Sequence, residues 1–499
     1  MRIRTANDIP NKNISTFLFL LVLVSGMGIA IAIASFGFSV LLFILLVCVG
    51  CYVLFNPWHG FLSTIFFLPF SGIQFEWITG VQIPVQIIPS QFFGVLTLIG
   101  YLLLGKRLKF TKHDRALLVF FVIALFTSLI NYPRIISVDI EFFGGIFRNT
   151  GGRSLAQLFG LGLMIGLYLL TVNILTTQQR LNRTLKLFLG SLFITGIFAI
   201  YQFIGYFFGL PFVEFTYYPA LKEIIGPGIV GDFARVGSVA GEPRQLSYVL
   251  LPGIFILLPL VVLKPHPFKS RVVPSIFLFS IFVAFVFTFA RSGWVSFIVS
   301  LLAILFLMLF YKSRERLGKK LLASLTSIVL LVVFFVVLDK IISWWGYSLG
   351  YSVFERFLSI ETTWTESYIE NIYLNETWKL AISNFLWGVG FGNSSFYITV
   401  KPYVDLTGTY LRLLSETGIF GLLTFLWFLS GNLIYSIRAM KKTPEDGNRV
   451  IILTLLAGVL SLLINWIHYG QDFNNPIIWV LLGMLKASAK LGYNTCERS

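Results

Sequence analysis

From about residue 15 to about residue 490 the chain is a succession of apolar stretches, most of them near 20 residues long, separated by more polar segments. That length is what an α-helix needs to cross the hydrocarbon core of a bilayer. Only helices and closed barrels satisfy their backbone hydrogen bonds there. The apolar spans fall near 15–34, 36–56, 58–72, 89–104, 114–131, 155–176, 187–209, 245–263, 273–290, 293–311, 320–338, 417–437, 450–467 and 476–490. Of the 499 residues, 57% are hydrophobic and 12% charged. Soluble domains carry roughly twice that charge fraction. The expected class is all-α: a polytopic integral membrane protein with about 12–14 transmembrane helices.

The net charge of +16 invites a nucleic-acid reading, but its distribution argues for topology instead. If the N-terminus is cytoplasmic, the inside segments hold 26 of the 38 basic residues and 6 of the 22 acids. The outside segments hold the other 12 basic and 16 acidic residues. This is a strong positive-inside pattern, and it favours both termini inside and no nucleic-acid partner. Residues 14–35 are too long for the apolar core of a signal peptide, so no cleaved leader is expected.

Cys48 and Cys51 lie in an apolar span, Cys496 is near the end, and the four histidines are scattered. Neither a disulfide framework nor a metal-ligand spacing is present, so no metal and no cofactor is expected.

Three outside segments exceed simple turns: about 132–154, 210–244 and 339–416. They divide the chain into N-terminal helices (1–210), a central region with the outer loops 211–244 and 339–416 (211–438), and C-terminal helices with a tail (439–499). The largest loop is rich in Trp and Tyr, which suit either a membrane interface or sugar stacking. Its Glu366–Phe385 stretch reads as a helix along the outer interface, halted by the glycines of NFLWGVGFGN.

Within FVFTFARSGWVSFIV, Arg291 interrupts an apolar run. At the bilayer centre a charge would cost roughly 2.5–3.5 kcal/mol. The topology moves it to a tight outer turn between two spans, where Gly293 permits close approach. Further outside arginines stand at Arg235 and Arg244, in ARVGSVAGEPRQ, and at Arg356, in FERF. Several arginines on the disfavoured side suggest an anion site, since guanidinium forks match phosphate oxygens. The alternative is that they bridge loops to Glu242, Glu355 or Glu366. In TYLRLLSETGIFGLLTFL, Glu416 stands at the entrance of a span, where it suits an arginine partner or cap, or a general base. GVGFGN follows no strand and has no phosphate-loop lysine, so nucleotide binding is not expected.

The order ARSGW, an outer arginine, W-K-L-A-I-x-N-F-L-W-G-V-G-F-G and T-Y-L-R-L-L-S-E-T-G-I-F-G resembles the bacterial O-antigen ligase and polymerase superfamily, over about residues 230–430. RVGSVAGEP is similar to that family's arginine-containing loop. The resemblance implies a metal-independent, inverting glycosyltransferase of the bacterial inner membrane, with its site facing the periplasm. Its partners would be an undecaprenyl-pyrophosphate-linked oligosaccharide, membrane lipid and a chain-length regulator. Carried over by motif, Arg291, Arg235 and Arg356 would bind pyrophosphate. Glu242, Tyr410, Arg412 and Trp378 would contact glycan, and Glu416 would be a site carboxylate. Ligases of the family carry His-Asn just before the tyrosine of Y-L-x-x-L-x-E-x-G; here Thr407 and Gly408 stand there. That shifts the expectation toward a polymerase and leaves Asp405 and Glu416 as the nearest base candidates, with His468 or Asp472 farther away. A ligase acting on lipid A core is the alternative within the class. A lipid-linked oligosaccharide transporter is the alternative outside it, and should show interrupted helices or charges within the spans. In the sequence the charges sit in loops and the spans are almost purely apolar, which favours outer-face chemistry.

Overall fold

A computed structural model describes residues 48–73, 88–111, 114–138, 150–212, 215, 229–230, 233–263, 267–268, 270–309, 340, 364–398, 407–443, 447–468 and 473–496. The expected spans near 15–34 and 320–338, most of that near 36–56, and the loop residues Arg356, Asp405 and Asp472 lie outside the described residues.

The described helices are α1 (Pro57–Phe66), α2 (Pro89–Leu103), α3 (Asp114–Ile136), α4 (Thr150–Ile174), α5 (Gln178–Phe208), α6 (Pro243–Val262), α7 (Val272–Val286), α8 (Arg291–Leu309), α9 (Trp364–Ser383), α10 (Thr409–Lys442), α11 (Gly447–His468) and α12 (Pro476–Cys496). Strands are confined, among these residues, to a two-residue antiparallel pair, β1 (Ile229–Val230) and β2 (Phe233–Ala234), with Ile229 opposite Ala234. Among the described residues, six helices are long and apolar enough to cross a membrane: α3, α4, α5, α6, α10 and α11. The described residues are thus almost wholly helical, as a membrane-embedded chain requires. Helix α1 has only ten residues, about 15 Å of rise. The expected span at 58–72 thus ends early, in turns that dock on the loop before α6 through Gly72 N–H donating to Val239 O.

Local chemistry sets several boundaries. Pro57, Pro89 and Pro243 open their helices, where the missing N–H costs nothing. Thr177 caps α5 by accepting from Arg180 N, and Gly209 closes it in the left-handed region at φ 64°. Helices α6 and α11 are the most enclosed of the spans and form the centre of the bundle. Gly458 lets α11 approach α6 closely, lying against Ile256 and the Pro252 carbonyl, as small residues do between membrane helices.

Contacts between helix ends sort the bundle into two ends. At one, Gln91 donates to Asn474 O, Asn474 to Gln157, Asn465 to Ser296, and Tyr410 to Leu463 O. At the other, Asn173 exchanges hydrogen bonds with Lys109, Arg180 donates to Ile174 O, and Arg271 to Val262 O. Lys186 and Lys442 rest on Phe268 and Tyr493 at this second end. The second end thus carries Lys109, Arg180, Lys186, Arg271 and Lys442.

One expectation needs correction. Charges are not confined to loops: Asp114, Arg412, Glu416, Arg449 and Lys486 are buried within helices. Lys486 sits midway along α12 with its ammonium 4.3 Å from the Tyr435 ring centroid, and is not part of an inside loop.

Candidate functional site

Two constellations stand at the first end of the bundle. The first is built on a corner. Helix α7 ends at Val286 and α8 begins at Arg291, so Arg291 is the first residue of a helix and not part of the turn. Between them Phe289 adopts φ 48°, an unusual value for a bulky residue. The corner is fastened by the preceding loop: Val236 N–H donates to Phe287 O and Arg235 Nε to Thr288 O, both at 3.3 Å. That loop is itself bolted to α5, since Ser238 N–H donates to Gln202 Oε1 and Ser238 Oγ to Thr195 O, each at 2.8 Å.

The start of α6 completes the constellation. Arg244 lies in its first turn, and Ser247 Oγ donates to Arg244 O at 2.7 Å. A Cβ on Gly293 would stand 2.9 Å from that of Ser247, so the first turns of α6 and α8 meet. Arg235, Arg244 and Arg291 are thereby gathered, each partly buried, where two helices present N-terminal N–H groups and the positive ends of their dipoles. Glu242, the N-cap residue of α6, lies within electrostatic reach of Arg244 and Arg235. Burial pushes its carboxyl above the usual range, against the opposing pull of the two guanidinium groups.

The second constellation is a loop inserted into a broken helix. Helix α10 leaves helical geometry at Gly418, with φ 66° and ψ −172°. The segment after α9 fills the break. Ile419 N–H donates to Phe385 O, Val389 N–H to Ser415 O, and Gly390 N–H to Glu416 O. Gly388, Gly390 and Gly392 all have positive φ (65°, 97° and 77°), which is why this stretch needs glycine at alternate positions. From Gly388 to Phe396 every residue is buried, with Asn131 donating to Gly388 O, Ser128 accepting from Phe391 N–H, and Asn393 donating to Ser154. The glycines thus seat the loop between α3, α4 and α10.

Inside this seat Glu416 Oε1 accepts from Arg412 Nε at 2.9 Å and from Ser394 Oγ at 2.8 Å, with Arg412 and Glu416 both fully enclosed. Of the readings open for Glu416, the geometry is that of an arginine partner. Arg412 is correspondingly a structural cation and not a surface offered to glycan. Tyr410 spends its hydroxyl on Leu463 O and packs on Trp466. Trp378 is exposed on α9. Gly408 is pressed against the Ile467 carbonyl, where a Cβ would overlap backbone, and Thr407 is buried. His468 is exposed at the end of α11.

The two constellations are linked through the end of α11: Asn465 reaches α8 at Ser296, and Leu463 and Ile467 hold the start of α10. Sequence reasoning passed over Arg134 and Arg153, which flank the second constellation. Arg153 stands 5.2 Å over the Phe396 ring, and Arg134 lies within electrostatic reach of Tyr397. Both are arginines of the outside segment 132–154, so the signal was present. Among the described residues no group of three or more His, Cys, Asp and Glu is placed to hold a metal ion. No known family profile matches the chain, and no curated protein matches it.

Proposed function

We propose that the protein is a polysaccharide polymerase. It would transfer a glycan from an undecaprenyl-diphosphate carrier to a second lipid-linked repeat unit at the periplasmic face of a bacterial inner membrane, with both chain termini cytoplasmic and about 12–14 spans. The observation that carries this reading is the gathering of Arg235, Arg244 and Arg291 at the N-termini of α6 and α8. An acceptor hydroxyl attacks the anomeric carbon, the bond from that carbon to the diphosphate oxygen breaks with inversion to release undecaprenyl diphosphate, and the hydroxyl proton passes to water. Fixed guanidinium groups and helix N-termini stabilise the departing charge without a metal. Thr407 and Gly408, where a ligase would carry His-Asn, favour polymerase over transfer to lipid A core.

The break at Gly418 and the buried Lys486 are features a transporter would show. The break, however, lies only nine residues into α10 and is occupied by the backbone of residues 385–390, which suits docking of a loop better than a passage.

With purified protein, lipid-linked repeat units and EDTA, the expected product is longer lipid-linked glycan. Arg291→Ala and Arg235→Ala should each slow elongation about 10²–10³-fold, the effect of losing one charge-stabilising group. Intact elongation in both variants refutes the clamp, and product on lipid A core moves the assignment to ligase.

Glu242 adds a pH signature. Its carboxyl takes up a proton at higher pH than a free glutamate. As pH falls through that range the arginines lose their local counter-charge. Affinity for inorganic pyrophosphate should therefore rise more steeply on acidification in the wild type than in Glu242→Gln, measured by calorimetry at several pH values.

A further inference from the structure

Three polar atoms in the stretch 393–397 are buried without a hydrogen-bond partner: Asn393 Oδ1, Ser395 Oγ and Tyr397 Oη. A fourth, Thr377 Oγ1, lies on α9, which packs against this turn. Burying such groups unsatisfied costs about 1–3 kcal/mol each, so three within one five-residue turn require an explanation. Flexibility does not supply it, because the turn is pinned on several sides. Ser394 is tied to Glu416, Asn393 Nδ2 to Ser154 Oγ at 3.1 Å, and the preceding glycines are seated against α3, α4 and α10. The turn is also flanked by cations, with Arg153 over Phe396 at 5.2 Å and Arg134 near Tyr397.

We infer that the 393–397 turn, flanked by Arg134 and Arg153, is a glycan subsite separate from the arginine corner at α6 and α8, and that it takes a sugar bearing both hydroxyls and a carboxylate. The Ser395 and Tyr397 hydroxyls can each donate and accept, and Asn393 Oδ1 accepts, which is the mixed set that sugar hydroxyls satisfy. A phosphate, with acceptor oxygens alone, would leave Asn393 Oδ1 unsatisfied. The two guanidinium groups add a preference for an acidic residue, since their planar forks match a carboxylate. The glycan class rests on the polymerase reading, and the subsite would hold sugars of a lipid-linked unit while the arginine corner holds its diphosphate.

The test uses the full-length protein in detergent and two probes. Undecaprenyl diphosphate reads the corner. The repeat-unit oligosaccharide, released from its carrier by mild acid, reads the turn. Tyr397→Phe and Ser395→Ala each remove one oxygen and should weaken oligosaccharide binding about threefold to tenfold, the worth of one hydrogen bond. Arg153→Gln should weaken it at least as much, and should lose more affinity for the intact oligosaccharide than for one whose carboxylates have been reduced to alcohols. Undecaprenyl diphosphate should bind all three variants as it binds the wild type. Unchanged oligosaccharide affinity in Tyr397→Phe and Ser395→Ala overturns the subsite and leaves buried water as the partner of these groups. A loss of both probes with a lowered unfolding midpoint overturns it too, making the turn purely structural. Oligosaccharide binding that depends on the turn in a protein that does not bind undecaprenyl diphosphate would sink the polymerase reading and keep the subsite.

Discussion

Arg412→Ala is expected to destabilise the protein by about 3–5 kcal/mol, because it strands the Glu416 carboxylate inside the bundle. Both side chains are almost completely enclosed, Arg412 at 1% and Glu416 at 0% exposure, and they are joined at 2.9 Å across one helical turn. The cost is the desolvation of an uncompensated charge more than the strength of the pair itself. The double variant Arg412→Met, Glu416→Leu should accordingly be far less damaged than the single one, since replacing a buried pair with apolar residues of similar volume is often neutral. Thermal unfolding of the two proteins in detergent, monitored by circular dichroism, provides the comparison. A single variant as stable as the double one would mean that water reaches Glu416.

Gly418→Ala should be comparably severe. At φ 66° and ψ −172° the residue occupies a region open in practice only to glycine, at a cost of about 1–3 kcal/mol for any other residue. An added Cβ would also overlap the Leu386 carbonyl, so the loop inserted at the break has to move. The expected loss is about 3 kcal/mol or more, with Glu416 and Ser394 displaced from one another. Gly190→Ala is the matched control. Gly190 lies inside α5 with open space around its Cβ position, so the same substitution there should raise stability by up to about 1 kcal/mol. An unfolding midpoint for Gly418→Ala equal to that of the wild type would show that the break is not held by its glycine.

The course of the bundle was readable because uninterrupted apolar runs bounded by charge or proline leave little choice of element. The expected spans 273–290 and 450–467 became α7 (Val272–Val286) and α11 (Gly447–His468). The start of α10 was harder. Its first turns carry Arg412, Ser415 and Glu416, and a polar stretch before an apolar span reads as an approach to the membrane. The i, i+4 spacing of Arg412 and Glu416 was the clue to a buried pair. Glycines at 388, 390 and 392 were legible as turn formers, but not as the means of seating a loop inside the bundle. What receives the loop is the backbone of Ser415 and Glu416, and sequence alone does not say where a distant carbonyl will be. Lys486 was lost for a related reason. Near the end of an apolar run a lysine is counted with the inside charges, and only packing against Tyr435 places it within the helix bundle.

Arg235 and Arg291 come from separate segments and are brought together by the α7–α8 turn, to which Arg235 is bonded and which Arg291 follows. Binding of undecaprenyl diphosphate to the full-length protein in EDTA, titrated by calorimetry for the wild type, Arg235→Ala and Arg291→Ala, tests this arginine corner without any sugar chemistry. A clamp built from these residues predicts metal-free binding in the wild type and a loss of tenfold or more in each variant. Equal affinity in all three proteins, or binding that appears only when a divalent cation is supplied, would contradict it.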